Sequence, residues 1–355
     1  MSGSIFDQIN LTASGVLLIP HLVFTETNWL VRIEPILNRL QPRACVVDLS
    51  FEPLFELEEP PDISINLFDA ITQLQCKYGI PCHYLSCVYD IQHEYDLWRQ
   101  HNAPRETITV AYINCFFRRH SSTLGNYHHT ASAEPRRLYC SFNNRFSPNR
   151  FKLLQELSEQ NLYEDGYTSW WFNHLHWLHI RENYPALNAV SANNLPPSSD
   201  PLYGLDTMTE DSEKLQFVGH SGRDSIIYDT YALTELEIVT ETYDERLFKH
   251  PVRTITEKTV RALMAAQPYI SINAAHCNTM LRELGFADYS KCIDLSYDTA
   301  ANQDTRIKLA VESLNELKRN NFTKIQLREE LAHNQHLAHK LSQSDPVQEY
   351  IQQLN

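Results

Sequence analysis

The sequence predicts an α/β protein with two parallel-sheet domains and a helical tail. Three observations predict it: short apolar runs alternate with helical periods over the first 115 residues, a polar stretch interrupts the pattern, and the alternation then resumes. At 355 residues, two medium domains can each bury a core.

The first strand is Gly15-Val16-Leu17-Leu18-Ile19, followed by a helical period at Trp29, Leu30, Ile33, Ile36, Leu37 and Leu40 and by the strand Ala44–Leu49. A second helix, from about Asn66 to Tyr78 and closed by Gly79, leads into the strand Ile80–Leu85, and a later strand covers Thr107–Ala111. Continuous apolar strands separated by helices imply a sheet covered on both faces, so residues 1–130 read as a Rossmann-like domain without a glycine-rich fingerprint. Residues 120–137, with Ser121-Ser122, His128-His129, Pro135 and paired arginines, read as the connection between domains.

A second α/β unit, 138–304, starts at Leu138-Tyr139-Cys140-Ser141-Phe142. A turn-rich loop through Arg145 and Arg150 follows, then a helix with Leu153, Leu154 and Leu157. Residues 187–215 form a long polar loop. Beyond it the reading gives a strand at 236–240, a helix at 257–266, a strand at 268–272, a helix near 277–284 capped by Gly285, and a strand near Asp294. The tail, 305–355, is helical with breaks at Asn320-Asn321 and Asp345-Pro346.

Composition narrows the function classes. Hydrophobic content of 43% and charged content of 21% suit a globular protein, and no apolar run reaches membrane-spanning length. The N-terminus has neither a basic nor an apolar leader region, and the eight cysteines form no C-x-x-C pair, which together point to the cytoplasm. A net charge of −14 argues against a general nucleic-acid binder, although residues 99–152 hold nine Lys or Arg against Glu106 and Glu134. His174, His176 and His179 do not stack on one helical face and have no acid between them, so no metal site is expected.

The segment richest in chemistry runs from Glu237-Ile238-Val239-Thr240-Glu241-Thr242 through Thr254-Ile255-Thr256-Glu257-Lys258. Thr254 and Glu257 are spaced as a capping box, and Lys258 then sits in the first turn, at the end of the helix that favours anions. A phosphate would give that lysine a partner; so would Glu257 or Glu241.

The block from Leu236 to Asp298 resembles the C-terminal half of bacterial and phage-encoded glycosyltransferases related to the alpha-1,3-fucosyltransferases. The residues that carry it are Thr240-Glu241-Thr242, Thr256-Glu257-Lys258, the strand after Pro268, Leu281–Phe286 and Ile293–Asp298. The resemblance covers about 138–340 and implies a GT-B architecture, two Rossmann-like domains facing across a cleft. It further implies a metal-independent inverting transfer of a sugar from a nucleotide-diphosphate donor, with no cofactor. It matches Glu241 and Glu257 to acids of the donor site, Lys258 to its phosphate-binding lysine, and Arg145 or Arg150 to a diphosphate-binding arginine. Thr240-Glu241-Thr242 departs from the family's phenylalanine-glutamate-asparagine signature, which leaves the donor open.

An inverting transfer needs a base for the acceptor hydroxyl, expected on a loop of the first domain, where Glu26, Asp48 and Asp90 stand near strand ends. Each also reads as an ordinary loop or cap carboxylate. The acceptor expected is a saccharide or glycoconjugate. Hydroxymethylated bases of phage DNA are an alternative acceptor, and a non-catalytic nucleotide-sugar-binding protein is an alternative function.

Overall fold

The computed structural model describes residues 5–20, 23, 24, 28–49, 56–59, 63–118, 137–143, 146–170, 182, 183, 193, 194, 227, 229–241 and 252–354. Glu26, Arg145, Thr242, Trp171, the three histidines at 174–179, and most of the 120–137 connection and the 187–215 loop lie outside them. The described chain is a mixed α/β structure with two parallel sheets, and it divides into two compact units, 1–116 with 344–355, and 117–343. The 305–355 tail is therefore shared: its first two helices belong to the second unit and its last helix to the first.

In the first unit, β1 (Asn10–Leu11) pairs antiparallel with β2 (Val16–Pro20), and β2, β3 (Ala44–Leu49), β6 (Cys82–Ser86) and β7 (Thr109–Tyr112) follow side by side, all parallel. The strands β4 (Glu56–Glu59) and β5 (Ile63–Asn66) form a separate hairpin. The connecting helices are α1 (Trp29–Leu40), α2 (Leu67–Tyr78) and α3 (Ile91–Asn102). Asn66 caps α2, its Oδ1 accepting from Phe68 N at 2.9 Å, and Gly79 closes it at φ 65°, a left-handed conformation that costs glycine little.

Strands laid down in chain order have a consequence. Right-handed crossovers that always advance in one direction put their helices on one face, so the other face needs a different cover. One row of the sheet is Ile19, Val47, Tyr84 and Val110, and Tyr84 meets Phe68 of α2, which also contacts Tyr95 and Trp98 of α3. The opposite face presents Val16, Ala44, Val46 and Leu85, which form a buried cluster with Val347 and Ile351 of the last helix (Pro346–Gln353). Tyr350 of that helix reaches His83 Nδ1 at 3.0 Å. Both faces of this sheet are thus covered, as the sequence leads one to expect, and because chain order keeps the crossover helices to one face, the chain's last helix covers the other.

In the second unit the order differs. β8 (Arg137–Asn143) lies between β9 (Gly166–Trp170) and β11 (Thr234–Thr240), β12 (Tyr269–Ile272) lies beyond β11, all four are parallel, and the short β10 (Asn193–Asn194) pairs antiparallel outside β9. From β8 the chain first moves one way to β9 and later the other way to β11. This reversal is the topological switch of a Rossmann-like sheet, and it places the following helices, α4 (Pro148–Glu159) and α5 (Glu257–Met264), on opposite faces. The next helices are α6 (Cys277–Glu283), α7 (Gln303–Arg319) and α8 (Arg328–Ser342); α7 packs on α4 and α8 on α5, and the last helix, Pro346–Gln353, is α9. Asn320 ends α7, and Asp345 caps α9, whose first residue is Pro346, at the breaks the sequence marks.

One expected element changes. No strand forms at Asp294; its carboxylate instead accepts from Ser296 N and Oγ, both at 2.9 Å, and starts a 3-10 turn at Ser296–Thr299. Asp298 accepts from Asn278 N at 3.1 and 3.2 Å, so it caps α6. Both acids thus have structural work at turn and helix starts.

Gly166 is a glycine for a steric reason. A Cβ there would collide with the Tyr139 ring, whose hydroxyl donates to Leu162 O at 3.2 Å and so fixes the ring in place. Gly166→Ala is expected to destabilise the unit by about 1–3 kcal/mol through overpacking, measured as a lower urea midpoint at unchanged slope.

Candidate functional site

In open α/β sheets, ligands bind beyond the carboxyl ends of the strands at the switch point. Here that place is bounded by the ends of β8 and β11 and by the starts of the helices that follow them. Its floor is tied across the two strands. Thr240 Oγ1 donates to Asn143 Oδ1 at 2.9 Å, Asn143 Nδ2 donates to Ser141 Oγ at 3.1 Å, and Ser141 Oγ donates to Ile238 O at 3.1 Å. Because these polar groups are buried and satisfied by one another, they fix the strand ends.

On the β8 side, Ser147 caps α4, accepting from Arg150 N at 3.3 Å, with Pro148 in the first turn where its missing N–H costs nothing. Arg150 is 5% exposed in that first turn. On the β11 side, Val252 and Ile255 bury the approach to α5, and Thr254 is held through its carbonyl, which accepts from Asn273 Nδ2 at 2.6 Å. The cap of α5 is Thr256, whose Oγ1 accepts from Lys258 N at 3.4 Å. The capping box expected from Thr254 and Glu257 does not form, because tertiary burial of Thr254 moves the helix start two residues along.

Glu241 follows β11 directly and is 1% exposed. Its carboxylate accepts from Thr256 N at 3.1 Å, from Thr259 Oγ1 at 2.6 Å and from Thr256 Oγ1 in a short bond. An acid of the preceding strand therefore occupies the electropositive end of α5. Lys258 Nζ lies 2.9 Å from Glu257 Oε1, 3.3 Å from Thr256 Oγ1 and 3.9 Å from Glu241 Oε2, and its side chain is 12% exposed. Both partners that the sequence offered for this lysine are thus in use, and the three charges sum to one negative.

Burial alone would raise the Glu257 carboxyl, but the Lys258 charge and hydrogen bond outweigh it and hold it at about 2. That is below its ordinary value of 4.5, so the pair contributes stability above about pH 4.5 and loses it as pH falls toward 2. The Glu257 side chain is 40% exposed, and solvent screening limits the effect to about 0.5 kcal/mol. Glu257→Gln is expected to flatten this acid limb in thermal melts between pH 5 and pH 2.5.

Among the base candidates, Asp48 is the penultimate residue of β3, half-buried and in register with Leu85 on the face that α9 covers. Asp90 holds the N-cap position of α3, its carbonyl accepting from Glu94 N at 3.0 Å. Both stand at the carboxyl edge of the first sheet. The sequence gives Asn143, Thr240 and Thr259 no role of their own; the first two end strands, but no local signal marks Thr259 as a partner of the acid that follows β11. Among the described residues no group of three or more His, Cys, Asp or Glu could hold a metal ion, and no helix is long and apolar enough to cross a membrane.

The fold and this edge define a class, a mixed α/β protein with a Rossmann-like switch point lined by helix starts. No family model and no curated protein matches the chain.

Proposed function

We propose that the protein is a metal-independent inverting glycosyltransferase of GT-B type that takes a nucleotide-diphosphate sugar at the switch point of the second unit. The observation that carries this reading is the reversal of strand order between β8 and β11, the switch point at which ligands of such sheets bind, with Arg150 and Lys258 in the first turns of the helices that follow the two strands. The departing diphosphate gains charge as the bond to the sugar breaks, and cations at that edge stabilise it. Lys258 serves by exchanging its contact with Glu257, the more exposed of its two acids, for a phosphate oxygen. A carboxylate of the first unit, Glu26, Asp48 or Asp90, takes the proton of the attacking acceptor hydroxyl. The acceptor is a saccharide or glycoconjugate, and the protein works in the cytoplasm.

Lys258→Ala tests the assignment. It is expected to weaken nucleoside-diphosphate binding by about 1–3 kcal/mol, read by calorimetric titration. Unchanged affinity in a folded variant would sink it. Should wild type bind no nucleoside diphosphate at all, Lys258 is what its neighbours make it, a partner for Glu257 at the start of a helix.

A further inference from the structure

We infer that Glu241 is a positioning residue of the switch-point site, acting on Lys258 through Thr256 and through its own carboxylate 3.9 Å from Lys258 Nζ, and making no contact with the ligand. The inference rests on the reading of that site as a diphosphate site. Three observations carry it. The Glu241 side chain is 0% exposed, so no ligand atom reaches its carboxylate. Its oxygens take donors from Thr256 N, Thr256 Oγ1 and Thr259 Oγ1, all internal to the chain. The Thr256 hydroxyl that donates to Glu241 is the same oxygen that accepts from Lys258 Nζ at 3.3 Å and from Lys258 N at 3.4 Å. Glu241 orients Thr256, and Thr256 orients both ends of Lys258.

A consequence for recognition follows. An acid that touched the ligand would serve the ribose hydroxyls of a nucleotide, whereas an acid that aims a lysine serves the phosphates. Loss of Glu241 should therefore act equally on ligands with and without a ribose. Thr259 supplies a second handle, since it is fully buried and its hydroxyl donates to Glu241 at 2.6 Å.

The experiment compares wild type, Glu241→Gln and Thr259→Val for binding of inorganic pyrophosphate, GDP and UDP by calorimetry, with hydrogen exchange followed over 254–260. The expected result is a loss of about tenfold for pyrophosphate in Glu241→Gln, by the same factor for whichever nucleoside diphosphate binds, a smaller parallel loss in Thr259→Val, and faster exchange at Thr256 and Lys258. A loss confined to the nucleoside diphosphates would overturn the inference in favour of direct ribose contact, and so would unchanged affinity for every ligand. If Glu241→Gln does not fold, Thr259→Val decides by the same criteria. If wild type binds none of the three ligands, the diphosphate reading fails; faster exchange in the variants would then still support the brace from Glu241 to Thr256, and unchanged exchange would overturn it too.

Discussion

Arg261→Met is expected to cost about 3–5 kcal/mol, because it strands a carboxylate in the middle of a sheet. Glu237 is 1% exposed on β11, and its charge is met by Arg261 of α5 at 3.0 Å and by the Tyr231 hydroxyl in a short bond. Arg261 Nε also donates to Tyr231 Oη at 3.1 Å, and its guanidinium lies 5.7 Å from the centroid of the Phe142 ring, so the three residues pin α5 to its face of the sheet. Burial pushes the Glu237 carboxyl up, and Arg261 opposes the rise. A carboxyl raised above its ordinary 4.5 contributes stability that is present below 4.5 and lost as pH rises through the folded value. Removing the opposing cation raises it further, so the deficit of Arg261→Met should be smallest near pH 4.5 and grow toward neutrality. Urea melts across pH 4.5–8 check both size and slope. The double variant Glu237→Leu/Arg261→Met should recover most of the loss, since a well-packed apolar pair avoids the cost of burying ions.

Ile351→Ala in the last helix should cost about 2–5 kcal/mol, as large-to-small changes in a closed core do, and Ile351→Asp should cost more. Ile351 is 2% exposed and sits in the cluster with Val16, Ala44, Val46 and Leu85, the face of the first sheet that its own crossovers leave bare. Loosening α9 should expose that face and raise dye binding and aggregation as well as lower the melting temperature. The helix also carries a pH dependence. Burial lowers the His83 imidazole below its ordinary 6.5, and its Nδ1 meets the Tyr350 hydroxyl. A lowered value means stability present above about pH 6.5 and lost as pH falls through the folded value. His83→Gln keeps a polar partner for Tyr350 and should flatten that limb; an unchanged limb would assign it to another group.

Much of the fold is legible along the chain because its signals are local. The apolar runs at 16–19 and 44–49, the Asn66 cap with Gly79, and the Asp345-Pro346 start all act within a few residues. The helix α3 carries little periodic signal, because its sequence, Ile91–Asn102, is largely polar and only Ile91, Glu94 and Tyr95 are buried rather than half-buried or exposed. The misplaced capping box at α5 is instructive in the same way. Thr254 and Glu257 have the right spacing, but spacing does not report that Asn273 binds the Thr254 carbonyl from 19 residues away.

By itself, then, the sequence determined most of the larger strands and helices, though not α3, β9 or the turn at Asp294, and which residues bear charge near their ends, since capping, periodicity and turn chemistry act over a few residues. Only the tertiary structure decided the order of the strands, and with it a switch point in the second sheet and a bare face in the first. It also decided what those charges do: Glu241 meets Thr256 across 15 residues, and His83 meets Tyr350 across 267. Contacts of that span follow from how strands and helices pack and leave no local pattern in the sequence.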